Sequence, residues 1–251
     1  MDQNTSNPDV SALPEAIREP VRSFCDVLRS ELAENVAGIS VVGSSLTDDF
    51  TPSSDINTVV VLQQRTLAIL NTIAALGKPL SRKKLAAPLL MTERYIERSL
   101  DVFSVEFLDF QLTHQTVLGP DPFDTLKFEK KDVRLQCERE FKAMLIRLRQ
   151  GYITSGANRR TVRDILIATA KGLTPILRAM LWLRDKDRPA CSEAAIRAAG
   201  DTFELDTEAI VTAERWHREQ PRISDLQKQE VFEGVYETVD RLSVIVDELE
   251  V

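Results

Sequence analysis

Cysteine and histidine are scarce in this sequence of 251 residues, which contains three cysteines and two histidines. Cys25, Cys137 and Cys191 are far apart, odd in number and form no Cys-x-x-Cys pair. This pattern argues against a disulfide framework and against a zinc knuckle, and it predicts buried free thiols in a reducing compartment. Two histidines are too few for a histidine-rich metal site.

Long apolar runs and an excess of positive charge are also absent. No stretch approaches the roughly 18 consecutive apolar residues that span a bilayer, and the polar, acidic N-terminus does not resemble a secretory signal. The formal net charge is −7, so bulk charge does not attract nucleic acid. We therefore expect a cytoplasmic protein without membrane or nucleic-acid partners, and the sequence leaves its oligomeric state open.

The pattern of apolar and polar residues differs between the two halves of the chain. Residues 12–128 mix helical and strand signals, whereas residues 129–251 have helical periodicity almost throughout. Residues 1–11 are polar and are predicted to form a flexible tail. The predicted fold class is α+β, with an N-terminal mixed sheet and flanking helices followed by a C-terminal all-helical bundle.

Two predicted strands in the first half are joined by a polar loop, and the residues at the two ends of this loop are suited to bind metal and phosphate. The segment VAGISVVGSS predicts a buried strand that ends at Gly43 and Ser44, and DINTVVVL predicts a strand that begins with Asp55 and Asn57. Residues two apart on a strand point to the same side. Backbone N–H groups and a hydroxyl in a Gly-Ser turn can hold phosphate groups, and Mg²⁺ prefers oxygen ligands on rigid elements. The pattern therefore predicts a metal and phosphate site.

The segment GISVVGSSLTDDFTPSSDINTVVVL resembles the signature of the polymerase-β-like nucleotidyltransferase superfamily. That signature is a strand, a Gly-Ser turn, a spacer and then Asp-x-Asp at the start of the next strand; the matching positions here are Gly43, Ser44, Asp55 and Asn57. The whole chain also resembles the two-domain aminoglycoside adenylyltransferases in layout, and uncharacterised bacterial proteins with a nucleotidyltransferase domain. The resemblance implies Mg²⁺, an NTP (ATP is expected) and transfer of a nucleoside monophosphate to an unknown hydroxyl acceptor, which is a small molecule or a protein.

The resemblance also implies a third carboxylate on a later strand. Glu106 is the best match, because the segment VFSVEFLDFQL, residues 102–112, alternates enough to predict a strand. Asp55, Asn57 and Glu106 would then hold the metal, with Asp55 and Glu106 as the catalytic carboxylates and Glu106 as a base toward the acceptor hydroxyl.

The resemblance assigns the nucleotide to the Gly-Ser turn, so Gly43 and Ser44 would hold the triphosphate. Lys83, in a short basic run, is a further candidate for gripping phosphate. Arg147 and Tyr152 are candidates from the helical half, because related two-domain enzymes present basic and aromatic groups to the nucleotide. Solvated loops and helix faces are the plainer explanation of all three residues.

Asn57 is the one departure from the motif, since the family has an acidic residue at this position. An amide oxygen can still ligate Mg²⁺ but brings no negative charge, so metal affinity should be weaker. Three interpretations stay open: an enzyme with a weakened metal site, a domain that binds a nucleotide without turning it over, and a fold retained as a scaffold or protein-interaction module.

Overall fold

A computed structural model describes residues 7–51, 54–156, 159–219 and 221–251, without the side chains of residues 78, 79, 81, 159 and 160. The chain forms two compact units, Met1–Leu100 with Phe110–Lys127 and Asp101–Asp109 with Phe128–Val251. Residues 1–6 of the predicted tail lie outside the described residues. Of the rest, Val10 is buried, and the Asp9 N–H donates to the Val117 carbonyl at 2.8 Å. The flexibility of the tail stays a prediction.

A four-stranded mixed sheet forms the centre of the N-terminal unit. Its strands are β1 (Val36–Val42), β2 (Asn57–Leu62), β3 (Leu89–Met91) and β4 (His114–Leu118). Their spatial order is β3-β2-β1-β4, in which β1 is antiparallel to both β2 and β4, and β2 is parallel to β3. The two strands predicted from the sequence, β1 and β2, are thus adjacent, and the turn between them lies at one end of the sheet.

Helices cover this sheet and stabilise it by burying apolar side chains. They are α1 (Glu15–Leu32), α2 (Leu67–Ala75), α3 (Gly77–Arg82) and α4 (Glu93–Glu97). The apolar stripe of α1, with Ile17 and Phe24, packs in one core with Ile39 and Val60 of the central strands. Thr92 caps α4, since its hydroxyl accepts from the Tyr95 N–H at 3.1 Å.

The prediction of a strand over residues 102–112 is wrong, because this segment forms helix α5 (Ser104–Leu112). Val105 and Leu108 are both buried, and their spacing of three residues fits a helical face as well as the alternation fitted a strand. The first turn of the helix is capped from a distance: the Ser104 hydroxyl and the Val105 N–H donate to Gln136 Oε1 at 3.0 and 2.8 Å. A cap that comes from a residue so far along the chain leaves no local signal in the sequence.

The C-terminal unit is a bundle of long helices. They are α6 (Lys130–Ser155), α7 (Arg159–Leu183), α8 (Ser192–Phe203), α9 (Glu208–Glu219) and α10 (Asp225–Asp247). Their inward side chains form a single core, which includes Phe141, Leu148 and Leu177. The predicted α+β class, a mixed sheet with helices followed by a helical bundle, is confirmed.

One helix among the described residues, Thr161–Leu183, is long and apolar enough to cross a membrane by length and composition alone. In this structure 61% of its most apolar window is buried inside the protein, as is usual for a helix at the centre of a bundle. Its apolar character is therefore explained by packing within the C-terminal unit.

The cysteines are free, and Cys25 and Cys137 are buried as the sequence predicts, whereas Cys191 is half-buried. Burial raises the pKa of the Cys25 thiol to about 12. Such a thiol stays protonated at neutral pH and is a poor nucleophile and metal ligand.

Candidate nucleotide site

The polar residues predicted from the sequence meet at one end of the sheet. Val42, the last residue of β1, pairs with Asn57 on one side and with His114 on the other. Side chains of directly paired residues point to the same face of a sheet, so Asn57 and His114 share a face with Val42 between them. The register therefore confirms that the start of β2 and the end of β1 lie together, as the motif requires.

Gly43 forms the turn that follows β1. Its φ of +79° lies in the left-handed region, which a residue without Cβ adopts at little cost. The Gly43 N–H donates to the Thr113 carbonyl at 2.9 Å, which anchors the turn to the chain just before β4. Ser44, the next residue, is exposed, so its hydroxyl is accessible to a ligand.

Asp55 and Asn57 flank Ile56, whose backbone is held by two hydrogen bonds to residues 84 and 86. The Ile56 N–H donates to the Lys84 carbonyl at 2.7 Å, and the Ala86 N–H donates to the Ile56 carbonyl at 3.0 Å. Both polar side chains are exposed, and neither has a hydrogen-bond or ion-pair partner among the described residues. The backbone here is fixed while its carboxylate and amide stay available to a ligand.

Two cavities of similar volume lie in the N-terminal unit. A cavity of about 330 Å³ lies beside Gly38, Val61 and α4, toward the end of the sheet opposite the Gly-Ser turn. A cavity of about 300 Å³ is lined by Asp55 together with apolar residues that include Ile73 and Leu85. The second cavity is the one that adjoins the motif, so we associate it with the candidate site.

Few side chains at the candidate site could bind a metal ion. No group of three or more His, Cys, Asp or Glu side chains that could hold a metal ion occurs among the described residues. The strand next to β2 offers no carboxylate, because β3 consists of Leu89, Leu90 and Met91. One carboxylate and one amide, at Asp55 and Asn57, fit a Mg²⁺ ion that also takes ligands from nucleotide phosphates and water. They do not fit an ion held by protein carboxylates alone.

Glu106 lies in the C-terminal unit, on helix α5, and not on a strand of the sheet. Its carboxylate accepts a hydrogen bond from Gln136 Nε2 at 2.6 Å. The same Gln136 caps the start of α5, so Glu106 has a structural partner within its own unit. Its role as the third carboxylate stays a prediction.

The remaining candidates for nucleotide contact also have neighbours within their own units. Lys83 Nζ donates to the Ser23 hydroxyl at 2.5 Å, and Tyr152 stacks on Phe232 with ring centroids 4.5 Å apart. Arg147 is exposed and is 3.9 Å from the Glu140 carboxylate. Their contact with a nucleotide stays a prediction.

His114 is a residue to which the sequence assigns no role. Its Nδ1 lies 2.8 Å from the Phe110 carbonyl oxygen, and its Nε2 lies 2.8 Å from Asp121 Oδ2. The edge of its ring contacts the Phe123 ring, at 5.2 Å between centroids. Burial raises the pKa of Asp121, but hydrogen bonds from His114, Phe123 and Asp124 outweigh burial and lower it below the usual 3.8. No sequence motif joins these residues, so the contacts are visible only in the fold.

The chain is similar to known proteins in structure and not in sequence. No protein-family model matches the chain, and no curated protein matches it in sequence. The fold matches the crystal structure of spectinomycin adenyltransferase AAD(9) from Enterococcus faecialis with ATP and spectinomycin, with a TM-score of 0.60 and 13% sequence identity. The match covers 89% of this chain and 98% of that chain. The chain therefore shares the fold of that adenyltransferase, and this likeness agrees with the resemblance predicted from the Gly-Ser and Asp-x-Asn motif.

Proposed function

We propose that the protein is a Mg²⁺-dependent nucleotidyltransferase that transfers a nucleoside monophosphate from ATP to a hydroxyl acceptor, at a rate reduced by Asn57. One observation carries this proposal: the exposed Ser44, Asp55 and Asn57 side chains lie at one end of the sheet of a fold shared with an adenyltransferase crystallised with ATP and spectinomycin. The acceptor is an unidentified small molecule or protein.

The role of each group follows from its chemistry. The Gly43–Ser44 turn presents a backbone N–H and a hydroxyl to phosphate oxygens, and Asp55 with Asn57 would hold the Mg²⁺ that accompanies the nucleotide. When bound, Mg²⁺ neutralises charge on the phosphates as they react. Asn57 contributes an oxygen but no charge, which is the reason for the expected reduction in rate.

A second candidate function is nucleotide binding without transfer. Two observations favour it: β3 carries no carboxylate, and Gln136 already engages Glu106. A site that lacks its other carboxylates can still hold a nucleotide, because binding depends on phosphate contacts more than on activation of the acceptor.

The experiment that separates these functions measures ATP binding with and without Mg²⁺ and then label transfer from α-labelled ATP to candidate acceptors. We expect Mg²⁺-dependent binding by the wild type and, in Asn57→Asp, about tenfold tighter binding because the new carboxylate adds a charged ligand. A rise in label transfer in Asn57→Asp supports the weakened enzyme, whereas tighter binding without transfer supports the second candidate. Absence of ATP binding in both proteins rejects both functions.

A control variant tests whether the effect belongs to this position. Gln63→Glu makes the same amide-to-carboxylate change at an exposed residue just after the other end of β2. We expect it to leave Mg²⁺-dependent affinity close to that of the wild type. Equal gains in Gln63→Glu and Asn57→Asp would indicate a general charge effect and would remove Asn57 from the metal site.

A further inference from the structure

Three segments of the N-terminal unit meet at the His114 ring. Its Nδ1 faces the Phe110 carbonyl in the last turn of α5, and its Nε2 faces Asp121 in the loop after β4. Asp121 is itself fixed, because its Oδ1 accepts the Phe123 and Asp124 N–H groups at 2.9 and 3.3 Å. The ring is therefore held on both sides by groups that have little freedom to move.

Both partners of the ring can only accept hydrogen bonds. A carbonyl oxygen and an ionised carboxylate have no proton to donate, so a neutral imidazole could satisfy only one of them. The other charged groups on the loop between β4 and α6 are Asp124, Lys127 and Glu129. The last turn of α5 contributes Asp109, whose carboxylate pairs with Arg178, and the end of β1 contributes no charged group. Two acceptors at hydrogen-bond distance fit a ring that donates from both nitrogens, and the Phe110 carbonyl lies at the negative end of the α5 helix dipole.

The backbone next to His114 anchors the Gly-Ser turn. Thr113 is the residue before His114, and its carbonyl accepts the Gly43 N–H at 2.9 Å. The Thr113 N–H donates to the same Phe110 carbonyl that His114 contacts, at 3.1 Å. The hydrogen bond that anchors Gly43 therefore depends on Thr113, whose N–H is held by the Phe110 carbonyl and whose carbonyl is in the peptide bond to His114.

We propose that His114 is a positioning residue for the Gly43–Ser44 turn, held doubly protonated between the Phe110 carbonyl and Asp121. The ring does not touch the nucleotide; it fixes the Thr113 carbonyl, which holds the Gly43 N–H, and so positions the Ser44 N–H and hydroxyl that follow. The part of this inference that concerns the nucleotide rests on the proposed function, whereas the protonation of the ring and the order of the turn do not.

The first experiment is imidazole ¹⁵N spectroscopy at pH 7. The chain has two histidines, so His217→Ala, which removes the one in the C-terminal unit, assigns both sets of signals. We expect both nitrogens of His114 to be protonated in the wild type. In Asp121→Asn the carboxamide can donate to Nε2, so this nitrogen should lose its proton while Nδ1 keeps its own. An unprotonated nitrogen on His114 in the wild type would overturn the proposal.

The second experiment is amide hydrogen exchange at Gly43, with the Val60 amide in central strand β2 as the internal reference for a folded sheet. His114→Ala should speed Gly43 exchange by about tenfold, the size expected for loss of a charged hydrogen bond. His114→Gln, which can donate one of the two hydrogen bonds, should give an intermediate rate, and His217→Ala should match the wild type. Unchanged Gly43 exchange with Val60 still protected would overturn the proposal. If His114→Ala loses protection at Val60, the His114→Gln variant decides the question.

The third experiment measures Mg²⁺-dependent ATP affinity in the same variants. We expect His114→Ala to bind ATP about tenfold more weakly and His217→Ala to bind it as the wild type does. Equal ATP affinity in His114→Ala and the wild type would overturn the link between His114 and the nucleotide. If the wild type itself does not bind ATP, the proposed function fails, and the first two experiments still decide the role of His114.

Discussion

One carboxylate in the C-terminal unit and one in the N-terminal unit differ in their hydrogen-bond partners. In the C-terminal unit, the Glu193 carboxylate accepts hydrogen bonds from Arg197, Arg215 and Arg218. In the N-terminal unit, Asp55 has no hydrogen-bond or ion-pair partner among the described residues. A carboxylate surrounded by guanidinium groups is satisfied within the fold, whereas one left to solvent at the end of a strand stays available to a ligand. The presence of a partner, more than the presence of charge, distinguishes structural carboxylates from candidate ligands here.

The clearest structural carboxylate is Asp109, and its removal should give the largest change in stability. Arg178 is nearly buried and donates to Asp109 Oδ1 at 2.8 Å and to the Pro189 carbonyl at 3.0 Å. Asp109→Ala leaves this buried guanidinium without its anion, so we expect a loss of about 3 kcal/mol in the free energy of unfolding. Urea unfolding followed by tryptophan fluorescence measures it, because Trp182 and Trp216 both lie in the C-terminal unit.

An exposed ion pair of the same unit supplies the matched control. Arg149 and Asp240 are 3.6 Å apart, and about half of each side chain is exposed. Exposed pairs contribute little, so Asp240→Ala should change the free energy of unfolding by no more than about 0.5 kcal/mol. Similar losses in the two variants would contradict the view that burial makes Asp109 structural.

Asp55→Ala should show the reverse behaviour, with a large effect on ligand binding and almost none on stability. The exposed Asp55 side chain has no partner to lose among the described residues, so we expect a stability change within about 0.5 kcal/mol. Loss of the single carboxylate should weaken Mg²⁺-dependent ATP binding by about 2 kcal/mol, or roughly thirtyfold. Calorimetric titration with ATP and Mg²⁺ measures the affinity. Asp48→Ala removes an exposed carboxylate from the preceding loop, and a similar loss there would deny Asp55 a specific role.

Local pattern was sufficient to predict β1, β2 and the motif that joins them. Gly43 and Ser44 follow one apolar strand, and Asp55 and Asn57 begin the next. Residues close in sequence were therefore enough to predict both strands and to place these four residues at the same end of the sheet. The N-cap of α4 at Thr92 was predictable for the same reason. Each of these features depends on residues only a few positions apart.

Features that depend on distant residues were not predictable in this way. Residues 102–112 alternate like a strand, yet they form a helix that Gln136 caps from α6, so Glu106 lies on a helix and not on a strand. The partners of His114 are closer in sequence, Phe110 at four residues and Asp121 at seven, but they lie on a helix and a loop on either side of β4, and no local pattern pairs them. In both cases the structure depends on a side-chain contact that forms on folding. No recognisable sequence motif indicates that contact.

Glu193 allows the comparison between the units to be tested through pH. Hydrogen bonds from Arg215, and then from Arg197, lower the pKa of this carboxyl from its ordinary 4.5 to about 2. A group with a lowered pKa in the folded state stabilises the fold above the pKa of the unfolded state. That contribution is fully present at neutral pH, begins to fall near pH 4.5 and is lost as the pH passes through about 2.

Glu193→Gln should therefore lower the stability of the C-terminal unit at pH 7 and flatten its dependence on acid pH. The arginine partners are a quarter to nearly half exposed, so solvent screening limits the expected loss at pH 7 to about 1 kcal/mol. Tryptophan-detected urea unfolding at several pH values between 7 and 3 measures both effects. Glu230→Gln makes the same charge change at an exposed position on α10, and it should leave the acid slope as it is in the wild type. An equal change of slope in the two variants would mean that net charge, and not the arginine cluster around Glu193, governs the acid sensitivity of this unit.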